Sequence, residues 1–197
     1  MIVVDIETSG VDFHACGIWQ VGAIDTDNPE KIFLEDCRID DTDAVEEGAL
    51  RVCGKTEEEL RDKNKQSCRD LLKNFFVWCT NSNMRNFICQ NPQFDTVFLK
   101  IKADKYKIYY PFGYHAFDLH SIAAVKYFDI QREFSKSNNA SNMVLKNIII
   151  FCGMEDTRTY HNALEDAKLT AECFSRIVYG KKLLEEYAHY DIPRHLI

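Results

Sequence analysis

The sequence predicts an α/β domain in which a mixed central sheet is flanked by helices. Three observations predict it. Ile2-Val3-Val4 is a short, uncharged, β-branched run of the kind that forms a strand buried on both faces. Trp19-Gln20-Val21-Gly22-Ala23-Ile24 alternates apolar residues after a polar, glycine-containing turn, as a second strand hairpinned to the first would. Leu71, Leu72, Phe75 and Cys79, and again Leu164, Ala167, Ala171, Phe174 and Val178, recur at helical spacing and supply apolar faces to cover the sheet.

A chain of 197 residues with 46% hydrophobic and 12% aromatic content can bury one sizeable core. The expectation is one domain over residues 1–197, with a core to about residue 180 and a C-terminal helical tail over 181–197. No apolar stretch approaches the roughly 18 residues of a membrane span, and strand-forming residues begin at position 2, leaving no room for a signal peptide. The expected location is cytoplasmic, with no membrane contact. Eight cysteines include no C-x-x-C pair and several fall in apolar segments, so they read as buried free thiols.

The remaining elements follow in order. Ile32-Phe33-Leu34 and Cys37-Arg38-Ile39 read as a third strand, and the acidic stretch 40–47 as a surface loop that regains order at Ala49-Leu50. Ser67-Cys68-Arg69-Asp70 has the form of a capping box and opens a helix over about 67–80. Asn86 to Gln90 is a short strand that runs into a helix through Phe94, Val97, Phe98 and Ile101. Further helices are expected over Ala116 to Lys126 and Ser141 to Phe151, with Asn138 to Asn142 as polar loop or cap. Asn162 is a plausible N-cap of the last helix, which Gly180 ends.

Asp5 and Glu7 interrupt the first strand. Strand side chains alternate faces, so residues two apart project together, and these carboxylates repel unless a cation lies between them. Most D-x-E pairs are surface charge at a solvated strand end. This one ends a very apolar strand and precedes the turn Thr8-Ser9-Gly10, which favours a metal site at the carboxyl end of a sheet strand. Asp95 falls in a first helical turn just beyond another strand end. His161 lies just outside the last helix and Asp166 about one turn inside it; alone, each is an ordinary surface residue.

Together these residues resemble the DEDDh group of DnaQ-like 3′-to-5′ exonucleases within the ribonuclease H-like fold. The matching motifs are Asp5-Ile6-Glu7-Thr8-Ser9-Gly10, Asn91-Pro92-Gln93-Phe94-Asp95 and His161-Asn162-Ala163-Leu164-Glu165-Asp166, in that order and across nearly the whole chain. His161 stands five residues before Asp166, as the histidine type requires. The tyrosine type has its Tyr four before, where Asn162 stands, and Tyr160 lies six before. Gln90 departs from the histidine that often precedes the second motif.

The resemblance implies an α/β ribonuclease H-like fold with a mixed five-stranded central sheet flanked by helices. It also implies hydrolysis of phosphodiester bonds at the 3′ end of single-stranded nucleic acid, DNA slightly favoured over RNA, with release of nucleoside 5′-monophosphates. Two Mg²⁺ (or Mn²⁺) ions are the implied cofactors, since hard cations prefer carboxylate oxygens and a metal pair about 3.5 to 4 Å apart serves both the attacking and leaving oxygens. By the same resemblance Asp5 is expected to bridge both ions, Glu7 and Asp166 to complete the first, and Asp95 to hold the second directly or through water. His161 is the candidate general base, because imidazole titrates near neutrality.

Thr8, Ser9 and Gly10 are expected to meet the terminal nucleotide, with Phe13 and Phe94 as apolar walls for bases. Trp19 reads as core, and Lys100, Lys102, Lys105 and Lys107 as a solvated face. The net charge of −7 argues against a protein that coats nucleic acid, although two divalent ions would bring it to −3. The expected partners are single-stranded DNA or RNA 3′ ends, with a homodimer or a polymerase or repair partner left open. Two rivals stand beside this reading: a catalytically silent module that binds a nucleic-acid end or a polymerase, and a phosphodiesterase for small nucleotides.

Overall fold

The computed structural model describes residues 1–84 and 86–197. Strands β1 (Ile2–Thr8), β2 (Ile18–Asp25) and β3 (Asn28–Asp36) form an antiparallel meander. Two short helices, α1 (Glu47–Cys53) and α2 (Glu57–Leu60), precede the longer α3 (Cys68–Trp78), whose cap Ser67 accepts a hydrogen bond from the Asp70 N–H as its sequence predicts. Strand β4 (Phe87–Cys89) lies parallel to β1 and leads into α4 (Pro92–Tyr106). Strand β5 (Phe117–Asp118) pairs parallel to β4 and feeds α5 (Leu119–Gln131). A separate hairpin, β6 (Lys136–Ser137) with β7 (Ala140–Ser141), precedes α6 (Leu145–Phe151) and α7 (Ala163–Tyr179). The main sheet has the order β3-β2-β1-β4-β5, the expected mixed five-stranded arrangement.

Alternation along β1 divides the core. Ile2, Val4 and Ile6 pack with Leu71, Leu72 and Phe75 of α3 and Phe98 and Leu99 of α4, whereas Val3 packs with Ile148 and Ile149 of α6 and Ala167, Ala171 and Phe174 of α7. Asp5 and Glu7 share parity with Val3 and so stand on the α7 side. Trp19 is buried with Ile39, Cys53 and Leu60, and all eight cysteines are buried free thiols. Among the described residues, no helix is long and apolar enough to cross a membrane.

The seating of α7 on the meander places the third motif. Gly22 lies opposite Asp5 in the β1–β2 register, and a Cβ there would strike the backbone of Ala163 and Leu164. Gln20, opposite Glu7, accepts a hydrogen bond from the Ala163 N–H at 2.9 Å. The strand residues facing the two carboxylates therefore dock the helix that brings Asp166 to them. Gly22→Ala is expected to cost about 1 to 3 kcal/mol through overpacking, and a shift of even 1 Å in Asp166 would cost on the order of 10²-fold in activity. Denaturant midpoints and initial rates of the variant check both.

Several boundaries differ from the sequence expectation. The third strand starts at Asn28 and ends at Asp36, because Arg38 leaves the sheet to bridge Ser67. The helix expected from Ala116 begins at Leu119 with Asp118 as its cap, and the one expected from Ser141 begins at Leu145. Asn138 and Asn139 form the turn of the β6–β7 hairpin rather than a loop or cap. The helical turns of the expected tail are two single-turn 3₁₀ helices, Glu185–Tyr187 and Arg194–Leu196. The tail is held through the buried Glu172–Arg176 pair, in which Arg176 donates to the carbonyls of Tyr187 and Tyr190 and Glu172 accepts from the N–H groups of Leu183 and Leu184.

Lys102 is the clearest departure from a solvated face. It is buried and donates to Asp43 at 3.0 Å, and Lys105 reaches both Asp40 and Asp43. This cluster fixes the acidic 40–47 stretch against α4, so that stretch is partly interior.

Candidate active site

The carboxyl end of β1, the start of α4 and the start of α7 meet in a cleft of about 560 Å³ whose lining includes Asp5, Glu7, Asp95, His161 and Asp166. Each arrives by a local rule. Asn91 takes a left-handed conformation (φ 78°) and Pro92 occupies the first turn of α4, so the chain reverses sharply off β4 and carries Asp95 back over β1. There Asp95 Oδ1 accepts the Ile6 N–H at 3.2 Å. Asn162 caps α7, its Oδ1 accepting from the N–H groups of Leu164 and Glu165 at 3.1 and 3.2 Å, which leaves His161 outside the helix and Asp166 inside it.

His161 Nδ1 lies 3.2 Å from Asp166 Oδ2, and Arg158 Nη1 donates to Asp166 Oδ1 at 2.8 Å. One ligand atom each from Glu7, His161 and Asp166 fall within 4.8 Å of one another. Glu7 Oε1 is buried with no hydrogen-bond partner among the described residues. Burial, followed by the charges of Asp95, Asp166 and Glu7, pushes the Asp5 carboxyl well above the ordinary range. Burial, then Asp166, raises Glu7 from 4.5 to about 7, while burial raises Asp95 from 3.8 to about 8 against the hydrogen bonds from backbone N–H groups. The bond to Asp166 raises His161. Converging carboxylates, with one oxygen orphaned, fit a hard divalent cation: such an ion would satisfy the orphan and relieve the repulsion.

The family model described as an exonuclease, RNase_T, matches residues 2–174. This chain belongs to that exonuclease family. No curated protein sequence matches it. Among solved structures, the zinc-bound complex of E. coli exonuclease I with single-stranded DNA is similar with TM-score 0.71 at 17% identity, covering 91% of this chain and 41% of that one. The nuclease domain of 3′hExo, a DEDDh family member, bound to rAMP gives TM-score 0.68 at 16% identity over 93% of this chain and 94% of that one. Cell-death related nuclease 4 gives 0.66 at 13% identity, covering 92% and 64%. The chain thus spans about two fifths of exonuclease I, and these likenesses establish the ribonuclease H-like exonuclease fold.

The cleft takes in some of the residues expected to contact a nucleotide and leaves out others. Thr8, Gly10 and Phe94 line it, although the Thr8 hydroxyl is committed to the Gly10 carbonyl at 2.7 Å. Ser9 is fully buried: its hydroxyl donates to the Ala44 carbonyl at 2.6 Å and accepts the Gly17 N–H at 2.8 Å, so it holds the turn rather than a ligand. Phe13 lies outside the cleft lining and meets Phe98 edge-on at 6.3 Å. The apolar rim consists instead of Val11, Val52 and Val144, exposed by 70%, 47% and 52%. Arg158 and Lys146 also line the cleft and carry its cationic charge. Neither is legible in the sequence, since a single basic residue outside a motif has no pattern to mark it.

The carboxylate cluster has a consequence for stability. Glu7 and Asp95 titrate higher in the folded chain than their ordinary values, so the folded state binds more protons from about pH 4 to 8. The raised His161 acts with the same sign. Stability in chelator should therefore be greatest near pH 4 to 5 and decline as pH rises to 8, and Mg²⁺ should remove most of that decline. Melting curves in EDTA and in Mg²⁺ across this range check it.

Proposed function

We propose that residues 1–197 form a single exonuclease domain that cleaves single-stranded nucleic acid from its 3′ end, DNA before RNA, and releases nucleoside 5′-monophosphates with two Mg²⁺ or Mn²⁺ ions. The observation that carries the reading is the convergence of Asp5, Glu7, Asp95 and Asp166 on one cleft beside His161, with Glu7 Oε1 left unpartnered. Asp5 would contact both ions, Glu7 and Asp166 the first, and Asp95 the second. When bound, such ions supply positive charge to the attacking and leaving oxygens of the displacement.

The protein's own groups do the rest. His161 is the group that takes the proton of the attacking water, and in the metal-free chain its Nδ1 rests on Asp166. Its side chain is 51% exposed at the cleft mouth, where water and a strand end can reach it. Val11, Val52 and Phe94 offer apolar surface to a terminal base, and such contacts are worth roughly 1 to 3 kcal/mol for each stacked base. Lys146 offers charge to a phosphate further along the strand. The DNA-bound exonuclease I structures support a DNA strand as first substrate, and the rAMP-bound 3′hExo domain keeps RNA as second.

A silent binding module has no use for four converging anions, which speaks against that alternative. Matched 5′-labelled single-stranded DNA, single-stranded RNA and duplex, incubated with Mg²⁺, Mn²⁺ or EDTA, test the reading. A ladder shortening from the 3′ end of the single strands in metal alone is expected. Full activity in EDTA, or nicking of a closed single-stranded circle, would contradict it.

A further inference from the structure

We propose that Asp156 and Arg158 form a positioning unit that fixes the Asp166 carboxylate by its Oδ1 and presents Oδ2 as the one oxygen a metal ion can take. The proposal rests on the reading of the carboxylates as a metal site. Arg158 grips Asp156 with two parallel bonds, Nε to Oδ1 at 2.8 Å and Nη2 to Oδ2 at 2.9 Å, the fork geometry that only a guanidinium provides. That grip aims Nη1 at Asp166 Oδ1, 2.8 Å away. The three side chains are 10%, 8% and 4% exposed in the order Asp156, Arg158, Asp166, so the relay is shielded from water.

Both Asp166 oxygens are thus engaged, Oδ1 by Arg158 and Oδ2 by His161. The two partners are held very differently. His161 is half exposed and precedes the α7 cap, whereas the Arg158 side chain is only 8% exposed and is locked by Asp156. Oδ2 is therefore the oxygen that could be given up to a cation, with His161 moving off it and Arg158 staying in place. The imidazole would then be free of Asp166 when the site is loaded. Asp156 lies outside the cleft lining and is bonded to Arg158, so any effect it has on the cleft must pass through Arg158.

A simple charge argument gives the opposite sign for one variant, and this makes the proposal testable. Arg158→Met removes a positive charge beside a cation site, which by Coulomb repulsion alone should tighten metal binding. If Arg158 instead positions Asp166, the variant should bind Mn²⁺ about 10- to 100-fold more weakly, the range typical of lost partners behind a metal ligand. Arg158→Lys, which keeps the charge and loses the fork, should weaken binding too, as should Asp156→Asn. The measurement is calorimetric titration of the full chain with Mn²⁺ in the absence of nucleic acid, with melting in EDTA confirming that each variant is folded. Oligonucleotide KM should stay within about twofold while kcat falls at limiting metal. Should Arg158→Met fail to fold, the affinity of Asp156→Asn decides in its place. Variants that bind Mn²⁺ as tightly as the wild type, or more tightly, would overturn the positioning role. A wild type that takes up no Mn²⁺ would overturn the metal site itself and this proposal with it.

Discussion

Asp5→Asn should abolish metal-dependent hydrolysis while leaving the metal-free protein more stable than the wild type. Asp5 stands midway along β1 on the α7 side, and burial together with Asp95, Asp166 and Glu7 makes its charge costly there. The amide keeps the shape and removes the anion, so repulsion among the remaining carboxylates falls. It also removes the ligand proposed to serve both ions. Loss of several kcal/mol of charge stabilisation in the transition state corresponds to on the order of 10³-fold or more in rate. Melting in EDTA and initial rates in Mg²⁺ read the two effects separately. A melting temperature that collapses in Asp5→Asn would make the residue structural, and a rate near that of the wild type would remove it from the chemistry.

His161→Ala should lower kcat by about 10² to 10⁴-fold, the usual contribution of a positioned proton acceptor. KM should change little, because the side chain sits at the cleft mouth and the apolar rim remains. Its pH profile is the sharper test. The wild-type rate should climb as the imidazole loses its proton. In the metal-free chain the bond to Asp166 moves that limb upward from the ordinary histidine value, and bound cations move it back down. In His161→Ala the limb should flatten. A variant that keeps the wild-type rate and limb would assign proton transfer to solvent.

The features legible in the sequence are those set by neighbours in the chain. β1 is buried on both faces and therefore opens with the β-branched run Ile2-Val3-Val4, after which its carboxylates fall two apart. α7 is bounded by Asn162 and Gly180, whose capping chemistry involves residues within a few positions. What stays hidden depends on distant partners. Gly22 looks like any strand glycine until α7 is seen resting on it. Lys102 reads as solvated because its partner Asp43 lies 59 residues away, and Ser9 reads as a ligand because nothing local reveals that Ala44 and Gly17 claim its hydroxyl. The β6–β7 hairpin does carry a local signal, although two adjacent asparagines fit a loop or cap equally well. Asn138 and Asn139 both adopt positive φ, at 49° and 62°, as a two-residue hairpin turn requires and as asparagine tolerates best after glycine. Arg158 falls between the two groups: its partner Asp156 is local, but its meaning comes from Asp166 on α7.

The central claim, that the cleft between β1, α4 and α7 is a two-metal centre, is tested most directly by anomalous diffraction from crystals of the protein soaked in Mn²⁺ with a nucleoside 5′-monophosphate. Two peaks about 3.5 to 4 Å apart are expected. Asp5 should lie between them, with Glu7 and Asp166 Oδ2 on one and Asp95 on the other, and His161 should be withdrawn from Asp166. Peaks elsewhere on the molecule, or a cleft that takes up nucleotide without any metal, would contradict the account.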